Sequence, residues 1–368
     1  MKKILAGFIM DGKSGGVDKY LLNFLEAVHG EDVRIDFLTN EVDAELRQFL
    51  QQYHSRLFPI AGLKRPVKQF SQVCRILEKG QYDMVYLNVS TAIDCIAAFA
   101  ARRAGVEERA IHSHSSGNDC EDALQRFIYN TVHRACRLFF YRAGTRFYGC
   151  SHKAGRWIFP NKIVQSGKFE VIYNAVDRLS FSYDPHIREV TRSELGIENK
   201  FVVGHIGNFR YAKNYPLLID IFEQIYRQEK KAVLLLAGTG DELEVVRKRV
   251  SDKGLGQAVM FLGWRPDTYR LYQAMDVFLL PSRFEGLPIV GVEAQCTKLQ
   301  CVLSDEITDE TKIQDQCYFL SLKENPKSWA DFILGHRGYD REKVKLLREA
   351  DNYDLESQRG QLRRIVCH

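Results

Sequence analysis

Short apolar runs alternate with amphipathic helical patterns along the whole chain, and this alternation restricts the fold more than any other feature. Met84–Val89, Phe201–Ile206, Ala232–Ala237 and Val277–Leu280 have the pattern of buried strands, and each precedes a turn and a helical pattern. Strands that alternate with helices build parallel sheets covered on both faces. A chain of 368 residues is long enough for two such domains with separate cores. We therefore predict two doubly wound α/β domains.

A change in composition near the middle of the chain places the domain boundary. Residues 1–178 form the predicted first domain, and the polar stretch 179–199, with one helix, forms a linker. Residues 200–350 form the predicted second domain, and residues 351–368 form a final helix.

Composition and cysteine usage exclude several classes of protein. Hydrophobic residues make up 45% of the chain and charged residues 27%, as in soluble globular proteins. No apolar run approaches the roughly 20 residues that span a bilayer, and the short apolar run before Asp11 fits a first strand better than a signal peptide. The nine cysteines are scattered and odd in number, which indicates reduced thiols in a cytoplasmic protein. No His/Cys cluster has metal-ligand spacing, and we expect no metal cofactor.

Two features of the first half lie at predicted strand ends. Gly15 and Gly16 follow the first strand and precede a helix, but the fingerprint G-x-G-x-x-G is missing, which disfavours an NAD enzyme. By itself this loop fits a ligand-binding turn and an ordinary β–α turn equally well. Further on, His112 and His114 are two positions apart on a strand, so their side chains share one face. A metal pair there would need further ligands that the sequence does not identify.

The most informative segment is Pro281–Asp305, which directly follows a predicted strand. Glu285 lies in the loop after the strand, and Glu293 lies eight positions later in a predicted helix. Ligands bind at the carboxyl ends of parallel strands. Between the two acids, Gly286 lets the backbone approach a ligand, and the amides that open the helix suit an anion. The segment therefore predicts a site for a phosphorylated sugar.

The same residues carry a resemblance to a known family. Glu285-x7-Glu293, with Gly286, Leu287 and Pro288 inside it, resembles the signature of the family-4 retaining glycosyltransferases. The resemblance covers essentially the whole chain and is strongest in the second half. It implies the GT-B fold, in which two Rossmann-like doubly wound domains have a donor cleft between them. In that fold residues 1–178 would form the acceptor-side domain and residues 200–350 the nucleotide-sugar-binding domain, and the final helix over 351–368 would cross back to the first domain. A segment around Cys150 and Ser151 is similar to one in bacterial members that assemble exopolysaccharide or capsule.

The resemblance implies roles for individual residues. Glu285 would hydrogen-bond the donor sugar, and Glu293 would bind the ribose hydroxyls. His114, with His112 as the second choice, would contact the sugar near the anomeric carbon. The other candidate donor contacts are Gly15, Gly16, Asn208, Arg265, Gly286, Leu287 and Pro288.

The family grips the donor diphosphate with an Arg and a Lys in a loop that corresponds to residues 207–214. Lys213 matches the family's lysine, whereas Asn208 stands where the family has arginine. Arg210, two residues later, is the candidate substitute, and a solvated loop cation is an equally good interpretation of it. A second departure follows Glu293, where Lys298 replaces the family's helix-stopping glycine and Gln300 replaces its proline. These replacements predict an altered helix end.

Charge is unevenly distributed in the first half. The stretch 123–168 contains nine Lys or Arg, no Asp or Glu, and nine Phe, Tyr or Trp residues. A basic surface with aromatic residues favours an anionic membrane as partner. We find no helix-turn-helix or other reader motif in it and expect no nucleic-acid partner.

Together these observations predict a retaining glycosyltransferase of the hexosyltransferase type. It would move a sugar from a UDP- or GDP-sugar to a glycan acceptor linked to polyprenyl diphosphate, at the inner membrane face. Two alternatives stay open: a non-catalytic nucleotide-sugar-binding protein of the same fold, suggested by Asn208 and Lys298, and a sugar-nucleotide epimerase.

Overall fold

The computed structural model describes residues 1–12 and 15–367, which divide into two compact units. The first unit comprises residues 1–118, residues 122–175 and the last helix. The second comprises the short segment 119–121 together with residues 176–354.

Within the described residues, a parallel sheet of seven strands forms the centre of the first unit. Its strands are β1 (Lys2–Gly7), β2 (Val33–Thr39), β3 (Leu57–Pro59), β4 (Met84–Val89), β5 (Glu108–Ser113), β6 (Arg146–Gly149) and β7 (Phe169–Val171). The strand order is β3-β2-β1-β4-β5-β6-β7, so the chain reverses its direction across the sheet between β1 and β4. All six residues of β4 are buried, which explains why every one except Asn88 is apolar or aromatic.

Helices cover both faces of this sheet. They are α1 (Gly16–Ala27), α2 (Ala44–Gln51), α3 (Pro66–Gly80), α4 (Ile96–Arg103), α5 (Ala123–Arg137), α6 (His152–Ile158) and α7 (Asn161–Val164). One apolar core includes Leu21 and Phe24 of α1, and the other includes Val73 and Leu77 of α3.

The second unit repeats this plan with a parallel sheet of six strands, again counted over the described part of the chain. The strands are β8 (Phe201–Ile206), β9 (Ala232–Ala237), β10 (Val259–Gly263), β11 (Val277–Leu280), β12 (Gln300–Ser304) and β13 (Cys317–Leu320). The helices are α8 (Pro185–Leu195), α9 (Tyr215–Gln228), α10 (Leu243–Asp252), α11 (Thr268–Ala274), α12 (Ile289–Cys296) and α13 (Pro326–Gly335). The order β10-β9-β8-β11-β12-β13 places the reversal between β8 and β11. The chain thus folds as two Rossmann-like domains, as predicted.

The stretch interpreted from composition as a linker lies within the second unit. Arg188 and Arg192 of α8 both form ion pairs with Asp276, the residue before β11, at 2.5 and 3.3 Å. The final helix, α14 (Leu355–Cys367), belongs to the first unit, where Arg363 donates to the carbonyl of Ala27 over 2.8 Å.

The sequence pattern also predicts an irregular segment over 57–66, a helix over 130–143 and a helix over 326–350, and all three of these local predictions were wrong. The segment predicted to be irregular contains the edge strand β3, which pairs with β2. A helix predicted over 130–143 begins at Ala123, because Asp122 caps it by accepting the N–H of Gln125 over 2.7 Å. A helix predicted over 326–350 ends at Gly335. Beyond that residue, the guanidinium of Arg341 is buried and binds the carbonyls of Tyr272 and Thr297, which a continuous helix would not permit.

No helix in the described ranges is both long and apolar enough to cross a bilayer.

Candidate active site

The loops after β8 and β11 meet at the point where the second sheet reverses direction. Lys213 ends a short 3-10 turn after β8, and its ammonium donates to Oε1 of Glu285, in the loop after β11, over 2.7 Å. The hydroxyl of Ser282 donates to the same carboxylate oxygen over 2.8 Å. The Lys213 and Glu285 side chains are 16% and 14% exposed. The Lys213–Glu285 pair is therefore fixed in position at the strand ends, where parallel α/β sheets bind ligands.

Three glycines allow the loops around Lys213 to pack closely. A Cβ on Gly207 would lie 3.1 Å from Cε of Lys213. A Cβ on Gly238, which has a φ of +140°, would lie 2.0 Å from the carbonyl oxygen of Gly207, and one on Gly240 would collide with Phe209. The loop after β9 therefore packs directly against the loop that carries Lys213. Side chains at Gly238 and Gly240 would push the two loops apart.

The other residues of the Lys213 loop are placed differently. Arg210 is exposed and directly precedes the 3-10 turn, while Asn208 is half-buried and engaged in contacts of its own. The guanidinium of Arg283 lies 4.4 Å from the ring centre of Tyr211 and donates to its carbonyl over 3.2 Å. Sequence reasoning missed Arg283, which secures the turn that presents Lys213.

Asp119 is a second residue that sequence reasoning missed. Its carboxylate accepts the N–H of Ala212 over 2.7 Å, next to Lys213 in the chain. Burial raises the pKa of Asp119, and the nearby charge of Arg210 opposes that shift. No motif could have revealed this residue, because it is brought to the loop by a segment about 90 positions earlier in the chain.

Glu293 is held inside the second unit. It is the fifth residue of α12 and 6% exposed, and the buried hydroxyl of Tyr272 on α11 donates to its Oε2 over 3.0 Å. Burial, reinforced by the neighbouring carboxylate, raises the pKa of Tyr272 well above its ordinary value, so this phenol stays protonated as a donor. At the start of α12, Pro288 occupies the N-cap and no side chain caps the helix. Gly286 and Leu287 are buried in the same loop.

Arg265 follows β10, two strands away from β8 in the sheet. Its guanidinium forms two hydrogen bonds with Asp267, at 2.7 and 2.6 Å. The side chain is 33% exposed. Its assignment as a donor contact stays a prediction.

The predicted alteration of the helix end after Glu293 was wrong. Lys298 adopts the left-handed conformation, with a φ of +57°, that glycine normally occupies in this position. The N–H of Lys298 donates to Gln295 O over 2.9 Å and the N–H of Leu299 to Ala294 O over 3.2 Å, the two bonds of a Schellman motif. Lysine therefore preserves the glycine geometry. Gln300 begins β12, and its N–H, which proline would lack, donates to the Tyr339 hydroxyl over 2.8 Å.

In the first unit, His114 directly follows β5, close to where the sheet reverses direction. The amide nitrogen of Asn88 donates to the carbonyl of Gly7 over 3.3 Å, so its oxygen faces His114 Nε2 at 2.8 Å. That nitrogen must therefore carry the proton, which leaves Nδ1 of His114 as a buried acceptor with no partner among the described residues. Burial lowers the pKa of His114 to about 3. His114 is thus a neutral imidazole of fixed tautomer.

His112 lies beside His114, with ring centroids 4.0 Å apart, which confirms that the two share a face. Its Nδ1 is 2.8 Å from the hydroxyl of Tyr86, which is 2.6 Å from the hydroxyl of Tyr20. Burial lowers the pKa of His112 well below its ordinary value. Over the described chain, no set of three or more His, Cys, Asp or Glu residues could hold a metal ion.

Gly15 is the N-cap of α1 and Gly16 is its first residue. A Cβ on either glycine would meet no atom of the described residues within 4 Å, and Gly15 has an extended φ of −153°. The preceding part of the loop is held by the carboxylate of Asp18, which accepts the N–H groups of Asp11 and Gly12 at 2.9 and 2.8 Å. The turn itself therefore does not require glycine at positions 15 and 16.

The basic and aromatic stretch divides between core and surface. Four of its aromatic side chains are buried in the core and cannot contribute to a surface: Phe140, Phe147, Tyr148 and Phe159. The exposed apolar residues of α5 are Leu124, Phe127, Ile128, Tyr129 and Val132, and Leu138 and Phe139 directly after the helix are exposed too. The spacing of three and four positions within α5 gives the helix an apolar face turned to solvent.

Comparisons with known proteins agree with this architecture. The family description "Glycosyltransferase Family 4" matches residues 14–178, and "Glycosyl transferases group 1" matches residues 187–333. The EpsF protein of Bacillus subtilis strain 168, named as a glycosyltransferase, is 28% identical over 345 residues, covering 91% of this chain and 88% of that protein. The Escherichia coli UDP-Gal:alpha-D-GlcNAc-diphosphoundecaprenol alpha-1,3-galactosyltransferase is 26% identical over 302 residues, covering 79% of this chain and 76% of that protein.

A solved structure has the same overall fold. Anabaena Alr3699/HepE in complex with UDP-glucose superimposes with a TM-score of 0.76 at 19% identity, covering 100% of both chains. Two Rossmann-like units and matches along both halves identify this chain as a GT-B protein that belongs to the family-4 glycosyltransferases.

Proposed function

We propose that this glycosyltransferase transfers a sugar, with retention of anomeric configuration, from a nucleoside diphosphate sugar to a hydroxyl of a lipid-linked glycan in polysaccharide biosynthesis. The observation that carries the proposal is the Lys213–Glu285 pair, 2.7 Å apart at the point where the second sheet reverses direction. The pair presents a cation and a carboxylate side by side, as a donor with a diphosphate and a hydroxylated sugar requires.

Lys213 is assigned to the leaving diphosphate, whose negative charge grows as the glycosidic bond breaks. A fixed ammonium and the uncapped amides at the start of α12 would stabilise that charge in the transition state without reorganising. Arg210, exposed beside the same loop, is a further cation for this role. We propose that these groups, rather than a metal ion, neutralise the leaving group.

Glu285 and Glu293 are assigned to different parts of the donor. Glu285 already accepts two side-chain hydrogen bonds, so its carboxylate is oriented before a sugar hydroxyl arrives. Glu293, oriented by Tyr272, is assigned to the ribose hydroxyls. In the first unit, the neutral His114 offers contact to the sugar without adding charge, and the open glycines 15 and 16 leave room for phosphates.

UDP-sugars are the first choice of donor, because HepE was solved with UDP-glucose. The acceptor assignment is supported by the diphosphoundecaprenol in the name of the E. coli relative. We further propose that the protein is cytoplasmic and binds the inner face of an anionic membrane through α5. The helix combines its exposed apolar face with Arg126, Arg134 and Arg137, and each cation near such a surface contributes about 1 kcal/mol.

The enzymatic proposal is tested in two stages. A thermal-shift screen with UDP- and GDP-sugars identifies the donor, and that donor is then incubated with protein and a short lipid-linked glycan. The expected result is a transferred sugar whose anomeric configuration, read by NMR, equals that of the donor. Donor binding without transfer would instead support a non-catalytic binding protein, and a changed free nucleotide sugar would support an epimerase.

The membrane proposal is tested by sedimentation with anionic and neutral liposomes at low and high salt. We expect recovery with anionic liposomes that decreases at high salt. Leu124→Ser/Phe127→Ser should reduce it, whereas Leu179→Ser/Val245→Ser, which changes two exposed apolar residues of the second unit, should not. Equal recovery with neutral and anionic liposomes would contradict the proposal.

A further inference from the structure

A large cavity lies in the first unit between α3 and α5, at the carboxyl ends of β2 and β3. We name it the α3–α5 cavity; its volume is about 1110 Å³, slightly above the roughly 300–1,000 Å³ usual for small-molecule sites. Its lining includes Ile60, Leu63, Ile93, Ile128, Val132 and Trp157. None of the family motifs falls in this region, so the assignments made above leave the cavity without an occupant.

One rim of the cavity is cationic. Lys64, Arg65 and Lys68 line it and are exposed, and none of them forms an ion pair with a described residue. They surround the start of α3, a helix of 15 residues that has no side-chain cap and no acidic residue in its first turn. Three cations around uncapped helix amides favour an anion such as phosphate.

The opposite wall is apolar and rigid. Trp157 donates its indole N–H to the carbonyl of Ser90 over 2.9 Å, and its ring stacks on His133 at 3.9 Å. His133 accepts the N–H of Ala92 and lies 3.0 Å from the carbonyl of Trp157, so it is a neutral, fixed imidazole. The ring of Trp157 therefore presents an apolar surface whose polar atom is already satisfied.

One carboxylate, that of Asp94, is found among the lining residues. It closes a capping box with Thr91, accepting both the N–H and the hydroxyl of that residue. These bonds hold the Asp94 carboxylate within its own turn. It therefore does not neutralise the charge of Lys64, Arg65 and Lys68. The lining thus combines cations from the start of α3 with apolar side chains from α5 and α6, which suits a single amphiphile with an anionic head.

We propose that the α3–α5 cavity binds the polyprenyl diphosphate portion of the acceptor. The diphosphate lies on Lys64, Arg65 and Lys68, and the first isoprene units lie along Ile128, Val132 and Trp157. The exposed apolar face of α5 continues from this wall through Phe127 and Leu124, so the rest of the chain can pass along it into a bilayer. The inference rests on the proposed function, because it names the part of the acceptor that the first unit recognises.

The test measures binding of farnesyl diphosphate to the full chain by calorimetry, with farnesol and inorganic diphosphate as comparison ligands. We expect farnesyl diphosphate to bind at least tenfold more tightly than either, since each lacks one half of the recognition. Lys64→Ala/Arg65→Ala/Lys68→Ala should weaken binding at least tenfold. Arg75→Ala/Lys79→Ala/Arg103→Ala removes three exposed cations of the same unit outside the cavity and should change binding less than twofold.

The apolar wall has its own matched pair of variants. Val132→Asp places a charge on the wall and should weaken binding of farnesyl diphosphate at least tenfold, whereas Leu138→Asp alters an exposed residue outside the lining and should not. Equal losses in the two triple variants, or inorganic diphosphate binding as tightly as farnesyl diphosphate, would overturn the inference.

The inference and the enzymatic proposal fail separately. A chain that binds farnesyl diphosphate through the cavity but transfers no sugar refutes the proposed function alone. A chain that transfers sugar to a lipid-linked glycan while the cavity triple variant binds farnesyl diphosphate normally refutes the cavity alone. A thermal shift with UDP-glucose, which reports on the second unit, should be the same in the cavity variants and the unmodified chain.

Discussion

In both sheets the chain reverses its direction between the first strand of the unit and a later strand, but the side chains that join the two strand ends differ in charge. In the second unit, a charged pair joins the loops after β8 and β11, with Lys213 and Glu285 partly exposed. In the first unit, the neutral amide of Asn88 donates a hydrogen bond to the carbonyl of Gly7 and so joins the ends of β4 and β1. The oxygen of the same amide accepts from the neutral His114 and orients its ring. The second unit thus has a fixed charged pair where its sheet reverses direction, whereas the contacts among Gly7, Asn88 and His114 in the first unit are uncharged.

This difference matches what each edge would have to bind. A leaving diphosphate requires cations that are in place before the reaction, and the bonds from Ser282 and Arg283 hold the second edge in order. A reacting sugar requires neutral contacts, because a protonated histidine there would oppose the positive charge that develops at the anomeric carbon. The desolvation that lowers the pKa of His114 to about 3 excludes that proton at physiological pH.

The largest expected effect concerns Lys213. Lys213→Ala should lower the transfer rate by about a hundredfold or more while changing donor affinity less, because the charge it meets is greatest in the transition state. The transfer rate and the donor dissociation constant are measured for Lys213→Ala and for the unmodified protein. Lys323→Ala, which removes an exposed lysine of the same unit, serves as the control and should leave both unchanged. Transfer at the unmodified rate would show that the charged edge is not the leaving-group site.

Glu285→Gln should lower the transfer rate at least tenfold and leave the affinity for free UDP nearly intact, since its assigned partner is the sugar. Because Glu285 also holds Lys213 at 2.7 Å, the two changes should not be additive. The rate of the double variant should therefore be close to that of Lys213→Ala alone. Additive losses would mean that the two side chains act independently, and weaker binding of free UDP would place Glu285 on the nucleotide.

Glu293→Gln should weaken binding of free UDP by about tenfold, because hydrogen bonds to a charged carboxylate contribute about 1.5–3 kcal/mol. Tyr272→Phe removes the bond that orients this carboxylate and should weaken UDP binding by a smaller factor in the same direction. Calorimetry with UDP measures both. Unchanged UDP affinity in Glu293→Gln would remove Glu293 from the ribose site.

Acid should destabilise the first unit more than the second. Burial depresses the pKa of His114 and His205 to about 3, and that of His112 well below its ordinary value. A buried histidine that stays neutral contributes stability above its unfolded pKa near 6.5, and that contribution is lost as pH falls towards the folded pKa. At pH 5.5 each such histidine should cost about 1.4 kcal/mol. His112 and His114 lie in and directly after β5, and His133, whose pKa burial also lowers, lies in α5 of the same unit, whereas His205 lies in β8.

Hydrogen exchange in urea at pH 7.5 and 5.5, followed separately in β5 and β8, measures this difference. We expect β5 to lose at least about 1.4 kcal/mol more than β8. In His114→Gln, an uncharged side chain that still donates to Asn88, the loss in β5 should decrease by about 1.4 kcal/mol. Equal losses in the unmodified chain would contradict the account.

The sequence was most informative about the strands and about the residues that directly follow them. Alternating strands and helices predicted both sheets, and Glu285 could be placed near a ligand edge because it follows the apolar run of β11. Lys213 could be located by the same argument after β8. Local patterns of this kind depend only on residues a few positions apart.

Contacts between distant segments could not be predicted. Asp119, Tyr272 and Arg283 have no local signature, and they reach the site only because the loops after several strands converge. The α3–α5 cavity was missed for the same reason, since its cationic rim and apolar wall come from segments about 60 positions apart. The start of α5 was misplaced because its apolar face is turned to solvent rather than to a core.

The smallest expected effect tests whether a departure from the family pattern carries function. Lys298 holds a φ of +57°, a conformation that costs a residue with a side chain about 1–2 kcal/mol and costs glycine almost nothing. Glycine loses more conformational freedom on folding, about 0.5–1 kcal/mol, and Lys298→Gly also removes a bond of 3.0 Å to the carbonyl of Glu342. The variant should therefore gain about 0.5 kcal/mol in the free energy of unfolding, measured in urea, with unchanged transfer rate and UDP affinity. Lys298→Ala, which loses the same bond but keeps a Cβ, is the control and should not be stabilised. A loss of activity in Lys298→Gly with UDP affinity intact would show that the lysine acts in transfer, and the helix end after Glu293 would then belong to the charged edge of the second unit.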